Sequence, residues 1–291
     1  MSLNAVRGEN MDLIAESNGV EIYKERDWRF SFFASPYPAH REFKAVDIYQ
    51  GKDFGDMAIS PVTGRVFKIL RFDSPTPTSR SLPEYLTLIK RGNYLARIMH
   101  IKPSVREGDK IYTGDEIGRF INNGYFFFWV DAGMHIEVRS LNNYLRATDG
   151  YELVPKFKKK FFKLKSEMIG KVVNTNKRNI TVKLNDSNIV KIGDRYTIMD
   201  GILSLDYGGV LGRFKINERV YFNGIKIGEI NKIGSYMSIF RMEKLGVFAN
   251  DIEFRGVSFM FDGDIIKLIP KRYGEPLLKT GDYVKIEINR K

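Results

Sequence analysis

The 291-residue chain contains no cysteine. That absence excludes a disulfide scaffold, thiolate zinc sites, iron–sulfur clusters and cysteine nucleophiles. Histidine is scarce, with only His40, His100 and His135, all in the first half of the chain. Any imidazole chemistry therefore falls to these three. No apolar run reaches the roughly 18 residues that a membrane-spanning helix needs. Met1 to Asn10 has no apolar core and does not read as a signal peptide. The chain as it stands is expected in the cytoplasm, or at the cell envelope where a leader has been removed. What is present is a composition of 43% hydrophobic and 13% aromatic residues, too apolar for a disordered chain. The length suits two domains, each able to bury its own core.

Charge divides the chain. Residues 1–150 carry 20 basic and 19 acidic groups, whereas residues 151–291 carry 27 and 16. The change falls at Lys156-Phe157-Lys158-Lys159-Lys160-Phe161-Phe162-Lys163-Leu164-Lys165. The organisation expected is an N-terminal extension or edge strand over 1–30, a β domain over 31–150, a basic linker over 151–165 and a β-rich domain over 166–291. The lysine run reads either as a solvated strand or linker or as a surface that attracts phosphates. The cationic second domain suits an anionic polymer, a membrane surface or an acidic partner.

Short runs rich in Val, Ile, Phe and Tyr, separated by turn dipeptides, predict a largely all-β protein. Examples are Gly64–Leu70, Ile180–Leu184 and Tyr283–Ile288. One helix is expected around Leu82–Arg91, opened by Pro83 and Glu84. A Gly-Asp pair recurs at Gly108-Asp109, Gly114-Asp115, Gly193-Asp194 and Gly281-Asp282. Glycine supplies positive φ and aspartate bonds the local backbone, so each pair predicts a sharp reversal between strands.

The histidines sit in informative contexts. His40 precedes Asp47 by seven residues, His100 ends the run Tyr94–Met99, and His135 opens His135-Ile136-Glu137-Val138-Arg139. Two imidazoles and a carboxylate meeting at one point bind Zn²⁺ through nitrogen and oxygen. With water in the fourth position such a centre is catalytic. A further side chain such as His100 then serves as general base or stabilises an oxyanion.

The order of blocks is distinctive: Asp47-Ile48, Ala58-Ile59-Ser60-Pro61-Val62-Thr63-Gly64-Arg65-Val66, Ile98-Met99-His100-Ile101, the turn pair from Val105 to Gly118, and Met134-His135-Ile136-Glu137-Val138-Arg139. Over about residues 38–140 it resembles the lysostaphin-type zinc endopeptidases, with their A-P-x-x-G-x-V strand, paired glycine turns and final H-L-H-F-E. The resemblance implies a duplicated-hybrid-motif barrel or sandwich, Zn²⁺ held by His40, Asp47 and His135, and catalytic assistance from His100. It further implies hydrolysis of peptide crosslinks such as those of a cell-envelope polymer.

Two departures accompany the likeness. The family places its His and Asp four apart, and Phe43 occupies that spacing here. Bringing His40 and Asp47 together over seven residues requires a bulge or short loop near Arg41–Lys44. Gly133 stands where the family has the first histidine of His-x-His, a loss expected to weaken or abolish hydrolysis. Three other readings stay open at this point. In one, Asp47 and His135 form a simple hydrogen-bonded core pair; in another, the same barrel serves as a non-catalytic binding or scaffolding module; in the third, it is a phosphocarrier-like barrel using His100 or His135, which would need the two imidazoles close together without a carboxylate. Residues 166–291 carry no catalytic motif, and their Gly/Asp clusters read as turns.

Overall fold

The computed structural model describes residues 11–74, 82–124, 126–146, 149–157, 167–185, 188–203, 205–274 and 277–290. Met1–Asn10 and all of the lysine run except Lys156 and Phe157 lie outside the described residues. The chain is all-β, with a single helical turn at Pro38–Arg41 among the described residues. No described helix is long and apolar enough to cross a membrane. The chain forms two compact units. One comprises residues 1–29, 42–127 and 131–158, the other residues 30–41, 128–130 and 159–291.

In the first unit, five antiparallel strands lie side by side in the order Gly64–Ser74, Leu82–Arg91, Tyr94–Met99, Met134–Ser140 and Ala45–Tyr49. A second, three-stranded sheet pairs Glu116–Phe120 with Met57–Ile59 and Ile101–Pro103. The expected helix at Leu82–Arg91 is a strand. Glu84, Leu86 and Leu88 share one buried face, Thr87 and Ile89 are buried on the other, and the strand is hydrogen-bonded on both sides. Pro83 is tolerated because it stands at the strand's start. The Pro-Glu pair that suggests a helix opening thus gives way to period-2 patterning.

Met134–Ser140 has an unusual burial pattern. Its apolar residues Met134, Ile136 and Val138 are buried, as in any core strand, but so are His135, Glu137 and Arg139 on the opposite face. A strand covered on both sides with one face polar must satisfy that face internally. This strand carries the candidate site.

The Gly-Asp turns form as expected, with φ of +94° at Gly108, +97° at Gly114, +56° at Gly193 and +101° at Gly281. Three share one construction. Asp109, Asp115 and Asp282 accept the backbone N–H of Arg106, Tyr112 and Lys279, each three residues earlier. Each turn then clips to the facing chain by two backbone bonds, to Val66, Ser60 and Val172 respectively. Val66 and Val172 stand where the strand register shifts, so the turn's peptide groups serve the bulged strand.

In the second unit, Ile189–Ile192 pairs with both Arg195–Ile202 and Arg219–Phe222. This closes a six-stranded ring through Ile225–Ile233, Met237–Met242 and Tyr207–Leu211. The sheet continues from Arg195–Ile202 as a curled sheet ending at Ile252–Phe254. Val172, Val182, Val210, Phe240 and Val257 are among the residues filling its core. Tyr283–Arg290 shows the underlying rule, exposing Tyr283, Lys285 and Glu287 and burying Val284, Ile286 and Ile288.

Asp200 anchors the stretch 30–41 within this unit, accepting the Ser31 hydroxyl at 2.6 Å and the Phe32 N–H at 2.5 Å. Complete burial pushes its carboxyl up to about 8, against the pull of the bonds from Ser31 and the Phe32 backbone. A folded-state value above the ordinary 3.8 means that the folded protein keeps a proton that the unfolded chain has released. The stability that Asp200 contributes is therefore full below about pH 4 and declines as pH rises to about 8, by at most about 1.4 kcal/mol per pH unit. Urea unfolding of a Trp28→Phe protein, with Trp129 reporting on this unit, checks the sign. The stability difference from an added Asp200→Asn change is expected to shrink between about pH 5 and pH 8; a constant difference would contradict the assignment.

Candidate metal centre

His40, Asp47 and His135 each present one ligand atom, and these atoms lie within 4.8 Å of one another. The seven-residue interval is bridged by a helical turn and one left-handed residue in place of a strand bulge. Pro38 opens the turn. Phe43, with φ +60°, ends it and redirects the chain into Ala45–Tyr49. A bulky residue is uncommon in that conformation. Here Phe43 is buried, and its carbonyl accepts Leu153 N–H at 2.9 Å.

Asp47 and His135 face each other as registered partners on adjacent antiparallel strands. His135 Nδ1 lies 2.9 Å from Asp47 Oδ1, and its Nε2 lies 2.9 Å from Glu137 Oε1. Burial disfavours a charged ring, but the hydrogen bonds and charges of Asp47 and Glu137 outweigh it and raise the imidazole to about 9. These contacts describe an imidazolium clasped between two carboxylates. Glu137 in turn meets Arg97 Nη1 at 2.7 Å and pairs with Arg139 Nη2. Burial pushes its carboxyl upward, but His135 and then the two guanidinium groups hold it down at about 2.

The donor set fits a zinc-like cation. His135 Nε2–H stays committed to Glu137, which leaves Nδ1 to exchange its proton for a metal. Such a carboxylate brace is the usual companion of a metal-bound histidine. His40 Nδ1 lies 2.6 Å from the Phe32 carbonyl. With a carbonyl as its partner Nδ1 donates, which leaves Nε2 as the candidate ligand atom. Asp47, the side chain of the three most open to solvent contact in the pair with His135, is 14% exposed against 3% for His135. The core pair anticipated for Asp47 and His135 is also present, since the same two atoms serve both descriptions.

His100 stands beside this cluster, its ring centroid 6.2 Å from that of His135 and 4.7 Å from that of Phe126. Its backbone is left-handed, with φ +71°. That conformation is disfavoured for a non-glycine residue by on the order of 1–3 kcal/mol, and such strain gathers at functional sites. Glu84 holds it there, accepting both His100 N–H at 2.9 Å and His100 Nδ1 at 2.6 Å. Sequence patterning hides Glu84, because Pro83-Glu84 reads as the start of a helix. The available signal was its inward place in the alternation Glu84, Leu86, Leu88. Arg97 and Arg139 were likewise unassigned, and their alternation with apolar residues on two neighbouring strands was the clue.

Gly133 has a steric reason. A Cβ built there would lie 2.7 Å from Tyr49 Cδ1 and 2.9 Å from the Ile48 carbonyl oxygen. The Tyr49 ring and the backbone of the Ala45–Tyr49 strand take the space that the first histidine of the pair would need. The phosphocarrier arrangement is also not the one observed: His100 meets Glu84, and His135 meets both Asp47 and Glu137.

Residues 20–155 match the family model described as a domain of unknown function (DUF8155), N-terminal domain. None of the curated proteins matches the chain. Among solved structures, the chain is similar to the solution structure of lysostaphin, at 12% identity, over 74% of this chain and 94% of that one, with a TM-score of 0.29.

Two substitutions probe the packing of the centre. Gly133→Ala is expected to destabilise the protein by about 1–3 kcal/mol, because backbone as well as Tyr49 must give way. The single change Gly133→His is expected to lower stability further. Unfolding midpoints equal to wild type would contradict the crowding. Glu137→Ala, which strands Arg97 and Arg139 in the interior, is expected to lose about 3–5 kcal/mol in the same measurement; a loss below about 1 kcal/mol would mean that the guanidinium groups find other partners.

Proposed function

We propose that the chain carries a zinc-binding, lysostaphin-type metallo-endopeptidase-like centre acting on peptide crosslinks. The observation that carries this reading is the approach of His40, Asp47 and His135 ligand atoms, with both imidazoles braced on their far nitrogens by Phe32 and Glu137. The order of sequence blocks from Asp47 to Arg139 supports the same class.

In this reading His40 supplies Nε2, Asp47 a carboxylate oxygen and His135 Nδ1. A bound Zn²⁺ acts as a Lewis acid and lowers the pKa of its water to near neutrality. The chain's own part is distinct. Glu137 keeps His135 oriented and strengthens it as a donor. Arg97 and Arg139 neutralise Glu137, so the ligand carboxylate Asp47 carries the site's accessible negative charge. His100 takes the role of proton acceptor toward the attacking water, or of donor toward the oxyanion. The substrate proposed is a peptide bond in a cell-envelope polymer, and the second unit, with its excess of basic residues, is the proposed contact for an anionic partner.

One observation favours a second reading, a non-catalytic binding module on the same scaffold. Tyr49 and the Ile48 carbonyl close the position of the family's other histidine, which removes a polar group from beside the metal.

Plasma mass spectrometry on purified protein separates these ideas from a plain core pair. Near-stoichiometric zinc is expected in wild type and is expected to vanish in both Asp47→Ala and His135→Ala. No zinc after incubation with excess metal would overturn the metal centre. With zinc present, cleavage of crosslinked peptides by wild type but not by His100→Ala supports the peptidase, whereas zinc without cleavage supports the binding module.

A further inference from the structure

We propose that Glu84 is the positioning residue for His100, fixing its imidazole as the Nδ1–H form and so making Nε2 the site's proton acceptor. This rests on the reading of His100 as the assisting group of the metal centre. No sequence block of the family likeness includes Glu84.

Glu84 is fully buried, and four donors converge on its two carboxylate oxygens. Oε1 accepts Tyr85 N–H at 2.7 Å and His100 N–H at 2.9 Å. Oε2 accepts His100 Nδ1–H at 2.6 Å and Asn123 Nδ2–H. A carboxylate has about four lone-pair sites, so this set saturates the ionised form. Burial pushes the Glu84 carboxyl upward, but the bond and charge of His100 and the backbone bonds of Tyr85 and His100 prevail and lower it. Neither Arg nor Lys side chains pair with it among the described residues. Among the described residues His100 is the one titratable side chain hydrogen-bonded to Glu84.

Two bonds from one histidine to one carboxylate define its orientation completely. The backbone N–H bond holds the left-handed turn at His100, and the ring bond sets the rotation of the imidazole. Asn123, itself fully buried, locks the carboxylate from the other side, with its Nδ2 also 3.3 Å from His100 Nδ1. Among the described residues nothing hydrogen-bonds to Nε2. A base whose far nitrogen is held by a buried carboxylate follows the same logic as the acid–histidine pair of hydrolytic triads: the acid selects the tautomer and stabilises the ring when it takes a proton. In water a neutral imidazole carries its proton mainly on Nε2, so an Nδ1–H ring is a signature of this constraint.

Long-range ¹H–¹⁵N correlation spectra of uniformly ¹⁵N-labelled full-length protein test the assignment. Only three imidazoles contribute, and a His100→Gln variant assigns the relevant one. At about pH 8, above the ordinary titration range of histidine, His100 is expected to show a protonated Nδ1 with its proton shifted far downfield. In Glu84→Gln that resonance is expected to be lost, with the ring shifting toward the Nε2–H form. A wild-type His100 protonated only on Nε2 would overturn the proposal, as would identical ring nitrogens in Glu84→Gln. The wild-type spectrum decides even if the variant does not fold. Zinc is measured on the same samples: its absence from all of them counts against the metal centre, while the tautomer is read independently.

Discussion

A carboxylate without access to water organises the first unit. Glu137 is bonded at once to His135, Arg97 and Arg139, all three of them buried. Removing any one partner would leave the others charged in the interior, so the group behaves as a unit. It also fixes direction. With Nε2 of His135 tied to Glu137, Nδ1 has to face Asp47 on the neighbouring strand. The candidate metal centre is therefore a consequence of how a buried polar strand face satisfies itself, and the apolar face of the same strand keeps it in place.

The two carboxylate–histidine pairs divide the work. Glu137 braces His135 from behind, and Glu84 does the same for His100 from a different strand. Each acid is drawn down from its buried value by its histidine. The difference lies in the rest of the surroundings. Glu137 is compensated by two guanidinium groups, which frees His135 to exchange a proton for a cation. Glu84 is bonded instead by the Tyr85 and His100 backbone, Asn123 and the His100 ring. The two imidazoles, with rings 6.2 Å apart, thus sit in different hydrogen-bonded surroundings.

Much of the fold was legible in the sequence. The all-β class followed from short β-branched and aromatic runs, and the Gly-Asp pairs marked turns that are built as expected. Asp47 and His135 stand out by their order within the blocks from Asp47 to Arg139, and His40 by its place ahead of Asp47. What was not legible depends on contacts distant in sequence. Pro83-Glu84 reads locally as a helix start, and only pairing on both sides makes it a strand. The left-handed conformations at Phe43 and His100 have no glycine to announce them; tertiary bonds impose both. Gly133 reads as a missing ligand, whereas the structure shows a position with no room for a side chain.

The central claim is that two histidines and one aspartate form a single cation site. X-ray absorption at the zinc edge, on zinc-loaded full-length protein, tests it most directly. The account predicts a first shell of nitrogen and oxygen at about 2.0–2.2 Å, with the outer-shell scattering of two imidazoles. Zinc surrounded by oxygen alone, without imidazole scattering, would contradict it.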